Sequence, residues 1–190
     1  MEQTNQTVKL LKSVGIFILI MWSVYLINLI LPFYDLNNLG IKPRSVSGLV
    51  GIVISPLLHA NIFHILSNTV PLFVLLFLLF KIYPRNAVAV IAAIVIIGGG
   101  LVWLFGRTAV HIGASGLIYG LAAFIVASGV FLRKFINVIV AIIVVLLYGS
   151  LIFGILPTRS YISWEGHLFG ALAGVLISYL LFKRDKKRTN

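Results

Sequence analysis

Six nearly uninterrupted apolar runs, each about 20 residues long, follow one another along this chain. They are Ser13–Leu31, Ala60–Phe80, Ala87–Phe105, Gly113–Leu132, Phe135–Leu156 and Gly166–Phe182. At a helical rise of about 1.5 Å per residue, such a run crosses the hydrocarbon layer of a bilayer once. Strand alternation is missing from all six, so a membrane β-barrel is excluded. Composition closes the other exits. Hydrophobic residues make up 61% of the chain, charged residues 10%, and the mean hydropathy is +1.12. A soluble domain carries about 25% charge, and a disordered chain has too few apolar residues to match this pattern. The predicted fold class is therefore an all-α polytopic membrane protein, a bundle of six transmembrane helices.

The basic residues predict its orientation. The net charge of +11 would suggest nucleic acid in a soluble protein, but Lys and Arg here stand singly or in pairs between apolar runs. Lys9, Lys12, Lys81, Arg85, Arg133, Lys134 and the tail Lys183, Arg184, Lys186, Lys187 and Arg188 fall on one side. Lys42, Arg44, Arg107 and Arg159 fall on the other. Eleven of the fifteen basic residues thus mark the cytoplasmic face, which puts both termini there and requires an even number of spans. Nucleic acid is not an expected partner; membrane lipid is. The first apolar run has no small-residue cleavage site behind it and reads as a retained helix, ended by Pro32. Residues 1–190 read as one domain, with no repeat or linker. The longest loop, 32–58, is irregular around Pro43. Its apolar stretch Leu49–Leu58 is too short to span and is expected to lie along the interface.

Polar side chains inside membrane helices are costly unless they face a partner or a cavity. Segment two carries His64 and Asn68, four apart and so on one face, with His59 at its mouth. Segment four opens with Gly113, Ala114, Ser115 and Gly116, followed by Tyr119 and Gly120. Segment six opens with Glu165, Gly166 and His167, followed by Gly170 and Gly174. The topology brings all three clusters to the external side. The glycines allow segments four and six to approach closely. If they meet, a hydroxyl and an imidazole come together at one depth, as nucleophile and general base. The Ser115 backbone N–H at a helix start, with His64 and Asn68, would then serve as donors to an oxyanion. Water is expected to enter through residues 106–112 and 157–164.

In these residues the chain resembles the rhomboid intramembrane serine proteases. HANIFHILSN (59–68) is similar to the family's second-helix motif, GASG (113–116) to its nucleophile motif, and HLFGALAG (167–174) to its last-helix motif. The resemblance implies Ser115 as nucleophile, His167 as base, and His64 and Asn68 in oxyanion stabilisation. His59 would be the accompanying outer histidine and Tyr119 the ring against which His167 packs. Gly113, Gly116, Gly166, Gly170 and Gly174 would support the site. It further implies a minimal six-helix form in the cell membrane that cuts transmembrane protein substrates, with no metal or organic cofactor. The Trp-Arg pair often found in the family's first external loop is missing here.

Two rival readings stand beside it: a non-catalytic scaffold that binds membrane helices, and a metal transporter using His59, His64, His111 and His167. Around the site, Arg107 is expected to mark the headgroup level and His111 to lie in an external loop. Glu165, two residues from His167 and so on another helix face, is expected at a solvated rim. Ser163, Trp164 and Trp22 read as interface or packing residues.

Overall fold

The computed structural model describes residues 2–31, 33–157 and 162–183. Pro32, Arg159 and the basic tail from Arg184 onward, on which part of the orientation reading rests, lie outside them. Among the described residues six helices are long and apolar enough to cross a membrane: α1 (Glu2–Ile30), α2 (Ile62–Ile82), α3 (Ala87–Phe105), α4 (Ser115–Leu132), α5 (Phe135–Ile155) and α6 (Trp164–Phe182). The described residues contain no β-strand, only an isolated antiparallel bridge between Ile41 and His111.

Several boundaries differ from the sequence reading. Helix α2 begins at Ile62 rather than Ala60 because Asn61 is its N-cap, accepting from the His64 N–H at 2.9 Å. Helix α4 begins at Ser115 rather than Gly113, since Gly113 has φ +109°, outside helical geometry. Helix α6 starts two residues early, at Trp164. Helix α5 is α-helical only to Tyr148 and finishes as a tighter 3₁₀ stretch, Gly149–Ile155. Helix α3 contains a π segment, Ile94–Gly98, where it crosses the glycines of α4 and α6.

Helix α4 is the centre of the bundle. Half of its apolar window (50%) is buried, against 17% for α1 and α5, whose outer faces carry residues such as Leu19, Ile30 and Leu146. An apolar exterior this continuous suits lipid, not water. The core is formed by Leu72, Leu75, Leu76 and Leu79 of α2 against Leu121, Phe124 and Ile125 of α4. The most extensive contact joins α4 to α6. A Cβ on Gly170 would overlap the Gly116 carbonyl, and one on Gly174 would overlap the Gly120 carbonyl. The two backbones therefore touch directly. Farther from the site the same pair is joined by Ser128 and Ser178, both fully buried, with hydroxyls 3.0 Å apart.

The first loop packs without a tryptophan of its own. Trp103 of α3 donates its indole N–H to the Ser45 carbonyl at 2.8 Å. In return, Arg44 donates to the carbonyls of Gly106 (2.8 Å) and Leu104 (3.2 Å) at the end of α3, where free carbonyls and the helix dipole favour a cation. Residues 46–57 form short helical turns, apolar and too short to span. This loop is tied to the start of α4 by Ile41 and His111, and by a 2.9 Å bond from the Gly113 N–H to the Ser55 carbonyl.

Candidate active site

The start of α4 is a turn that only glycine permits. A Cβ on Gly113 would lie 2.6 Å from His64 Nε2, so the missing side chain, together with the positive φ, lets the His64 imidazole sit against the turn. One turn further along α2, buried Asn68 donates one Nδ2 hydrogen to the His64 carbonyl at 2.8 Å, leaving the second. The Ala60 N–H points to His64 Nδ1 at 3.5 Å, which places the imidazole proton on Nε2, the nitrogen beside Gly113. The Ser115 N–H lies in the first turn of α4, where no carbonyl four residues back is available to it.

Ser115 and His167 meet. The Ser115 Oγ is 2.9 Å from His167 Nε2. The Tyr119 ring is stacked on the imidazole with centroids 4.1 Å apart and planes 5° from parallel. On the far side, His167 Nδ1 is 2.8 Å from the Gly154 carbonyl, which can only accept. In the neutral ring the proton is therefore on Nδ1, and Nε2 receives the serine hydroxyl. Gly116, Gly166, Gly170 and Gly174 all lie on the α4–α6 seam that sets this separation.

His59 is buried behind His64, with ring centroids 4.9 Å apart. Its Nδ1–H points to the Leu57 carbonyl at 3.4 Å, and its Nε2 accepts from the Ala114 N–H at 3.5 Å. Burial first, and the neighbouring His64 second, hold its pKa down to about 4.

Two expectations are corrected. Glu165 is not a solvated rim residue but 2% exposed, and Arg107 does more than mark a headgroup level. Their side chains pair at 3.6 Å, the Arg107 N–H donates to Glu165 Oε1 at 3.3 Å, and the Arg107 guanidinium donates to the Ile162 carbonyl at 2.6 Å. Helix α6 rotates Glu165 away from His167, as its spacing requires, but toward the α3–α4 loop rather than water. His111 stays in the loop before α4 and is buried there: its Nε2–H donates to the Arg107 carbonyl at 3.1 Å and its Nδ1 accepts from the Ser163 hydroxyl at 2.6 Å. These contacts clamp the start of α6 to the loop before Ser115, and the sequence gives no periodic signal for them. His111 and Ser163 also line a small cavity that reaches Ser115, beside the expected water entrance; residues 158–161 of that entrance lie outside the described residues.

Burial also lowers the pKa of His111. Both loop histidines thus bind protons more weakly when folded than when unfolded. Their contribution to stability is complete above the ordinary histidine pKa of about 6.5 and is lost as pH falls through their folded values, about 4 for His59. Thermal unfolding in detergent is expected to show a falling midpoint from pH 6.5 toward pH 4. The slope should be shallower in His59→Gln, and an equally steep slope in that variant would refute this assignment.

The comparisons agree with this architecture. The family model described as the Rhomboid domain matches residues 46–184. An uncharacterized protein of Mycobacterium tuberculosis is 40% identical over 175 residues, covering 86% of this chain and 73% of that protein. An uncharacterized protein of Mycobacterium leprae is 35% identical over 196 residues, covering 97% of this chain and 78% of that protein. With six apolar helices and a domain match over most of its length, the chain belongs to the rhomboid family, whose members are generally intramembrane serine proteases, and is a multi-pass integral membrane protein.

Proposed function

We propose that this protein is a serine endopeptidase that hydrolyses peptide bonds in or near the transmembrane segments of other membrane proteins, with Ser115 as nucleophile and His167 as base. The observation that carries this reading is the 2.9 Å contact between Ser115 Oγ and His167 Nε2, on an imidazole fixed by Tyr119 and the Gly154 carbonyl. Ser115 Oγ attacks the substrate carbonyl carbon while its proton passes to His167 Nε2. The same proton goes to the departing amine as the C–N bond breaks. Water then attacks the acyl-Ser115 ester, giving its proton to His167, and the carboxylic product leaves as Ser115 Oγ is reprotonated. The tetrahedral oxyanion is stabilised by the Ser115 N–H, His64 Nε2–H and the second Asn68 Nδ2 hydrogen. His59 and Gly113 seat His64. No step calls on a metal or organic cofactor.

The helix starts of α2, α4 and α6 face the external side and the termini are cytoplasmic, a reading supported by the basic residues of the sequence, and the family resemblance suggests the cell membrane as host. Lipid surrounds the bundle and transmembrane proteins are the substrates; nucleic acid is not a partner.

A fluorophosphonate probe tests the assignment. Ser115 is expected to be labelled in the wild type and not in His167→Asn; labelling elsewhere, or none, would overturn it. A scaffold would bind substrate helices yet neither cut them nor take the label. The oxyanion role makes a separate prediction. Asn68→Ala should lower kcat by about 100-fold or more with little change in KM. An effect confined to KM would remove Asn68 from the oxyanion site.

A further inference from the structure

Among the described residues His167 meets a backbone carbonyl, not a carboxylate, on its Nδ1 side, and the way that carbonyl is left free is written in the chain around it. Helix α5 ends as the 3₁₀ stretch Gly149–Ile155. In such a stretch the carbonyl of residue 154 is normally taken by the N–H of residue 157. Residue 157 is proline, which has no N–H. The last 3₁₀ bond is instead made one residue earlier, from the Leu156 N–H to the Phe153 carbonyl at 3.3 Å. Gly154 O is thereby available to His167 Nδ1, at 2.8 Å.

The side chain of residue 154 matters as much as its carbonyl. A Cβ there would overlap the Tyr119 hydroxyl and lie 3.2 Å from His167 Nδ1. Tyr119, Gly154 and His167 therefore form a closed set: the Tyr119 ring supports the imidazole face, its hydroxyl rests where a Cβ would be, and the Gly154 carbonyl holds the Nδ1 proton.

We propose that Gly154 is a positioning residue for the hydrolytic reaction, its carbonyl doing for His167 what a carboxylate does in a three-residue triad, and that Pro157 keeps that carbonyl unengaged. This rests on the reading of Ser115 and His167 as nucleophile and base. The carbonyl fixes the Nδ1–H tautomer, so that Nε2 always presents its lone pair to Ser115. Without it the ring can carry its proton on Nε2, where it cannot accept from the hydroxyl. In a carboxylate triad, loss of the correct tautomer costs about 10⁴-fold in kcat, and a neutral carbonyl is expected to matter less, by roughly 10- to 100-fold.

Three variants test this by two readouts. Gly154→Ala should lower kcat at least about tenfold at nearly unchanged KM, because its Cβ meets the Tyr119 hydroxyl and displaces the carbonyl. Pro157→Ala should do the same more mildly by supplying a competing N–H. Gly154→Ala combined with Tyr119→Phe, which removes the obstructing hydroxyl and keeps the ring, should regain most of the lost kcat. The second readout is the ¹⁵N spectrum of labelled histidine, with the His167 signals identified by their loss in His167→Asn. The wild type should show a protonated Nδ1 and an unprotonated Nε2, and Gly154→Ala a mixture of both tautomers. Wild-type kcat in Gly154→Ala, or a slow variant with an unchanged tautomer and no recovery in the double variant, would overturn the proposal. A wild-type protein that neither cleaves nor takes the fluorophosphonate would overturn the hydrolase reading instead, and the tautomer spectrum would still decide the role of Gly154.

Discussion

Replacing Ser115 with alanine is expected to remove cleavage of a single-span substrate altogether, a loss of at least about 1,000-fold, while abundance and thermal midpoint stay at the wild-type level. The size of the effect follows from the unit the side chain belongs to. Loss of a serine nucleophile from such a unit leaves only the catalysis contributed by the oxyanion donors and binding. The small effect on folding follows from the position: residue 115 opens α4, alanine is a good helix former, and among the described residues the hydroxyl's interhelical partner is His167. Substrate binding should persist in the variant, which makes it suitable for trapping a complex. Continued cleavage by Ser115→Ala would dismiss the proposed chemistry, whatever the geometry.

The second large effect is on folding. Gly174→Val should leave little folded protein, with a destabilisation on the order of 4 kcal/mol. A Cβ at residue 174 would overlap the Gly120 carbonyl and lie 3.0 Å from the Phe124 amide nitrogen, all backbone atoms of the central helix. No rotamer change relieves such a contact; α6 has to move away from α4. That movement also separates His167 from Ser115, so any residual folded fraction should be inactive. The matched control is Gly100→Ala in α3, where a Cβ meets nothing within 4 Å. There the substitution should be neutral or stabilising by up to about 1 kcal/mol, since alanine favours a helix over glycine. Equal effects at residues 174 and 100, measured as thermal midpoints in detergent, would refute the direct backbone contact between α4 and α6.

How much of this was legible beforehand varies with the kind of interaction. His64 and Asn68 at a spacing of four, Gly116 and Gly120 likewise, and the glycines of HLFGALAG all express helical period, and the structure places them together as that period requires. The Asn61 cap and the glycine-only φ of residue 113 are local signals too, and a reading attentive to caps would have set the helix starts correctly. Glu165 was misread because helical spacing says which way a side chain turns from its neighbour but not what waits there. Trp103 and Arg44 were invisible as a pair, since each bonds to the backbone of an element 58 to 62 residues away.

What the sequence determined by itself is the set of spans and the depth of the polar groups. Twenty apolar residues have one way to satisfy their backbone in lipid, and helical rise then fixes where each hydroxyl or imidazole lies along the axis. What only the tertiary structure decided is the partner of each group around that axis: the Gly154 carbonyl on His167, Arg107 on Glu165, Ser163 on His111. Those pairings depend on which helices and loops adjoin in space, which the helical period of any one segment does not mark.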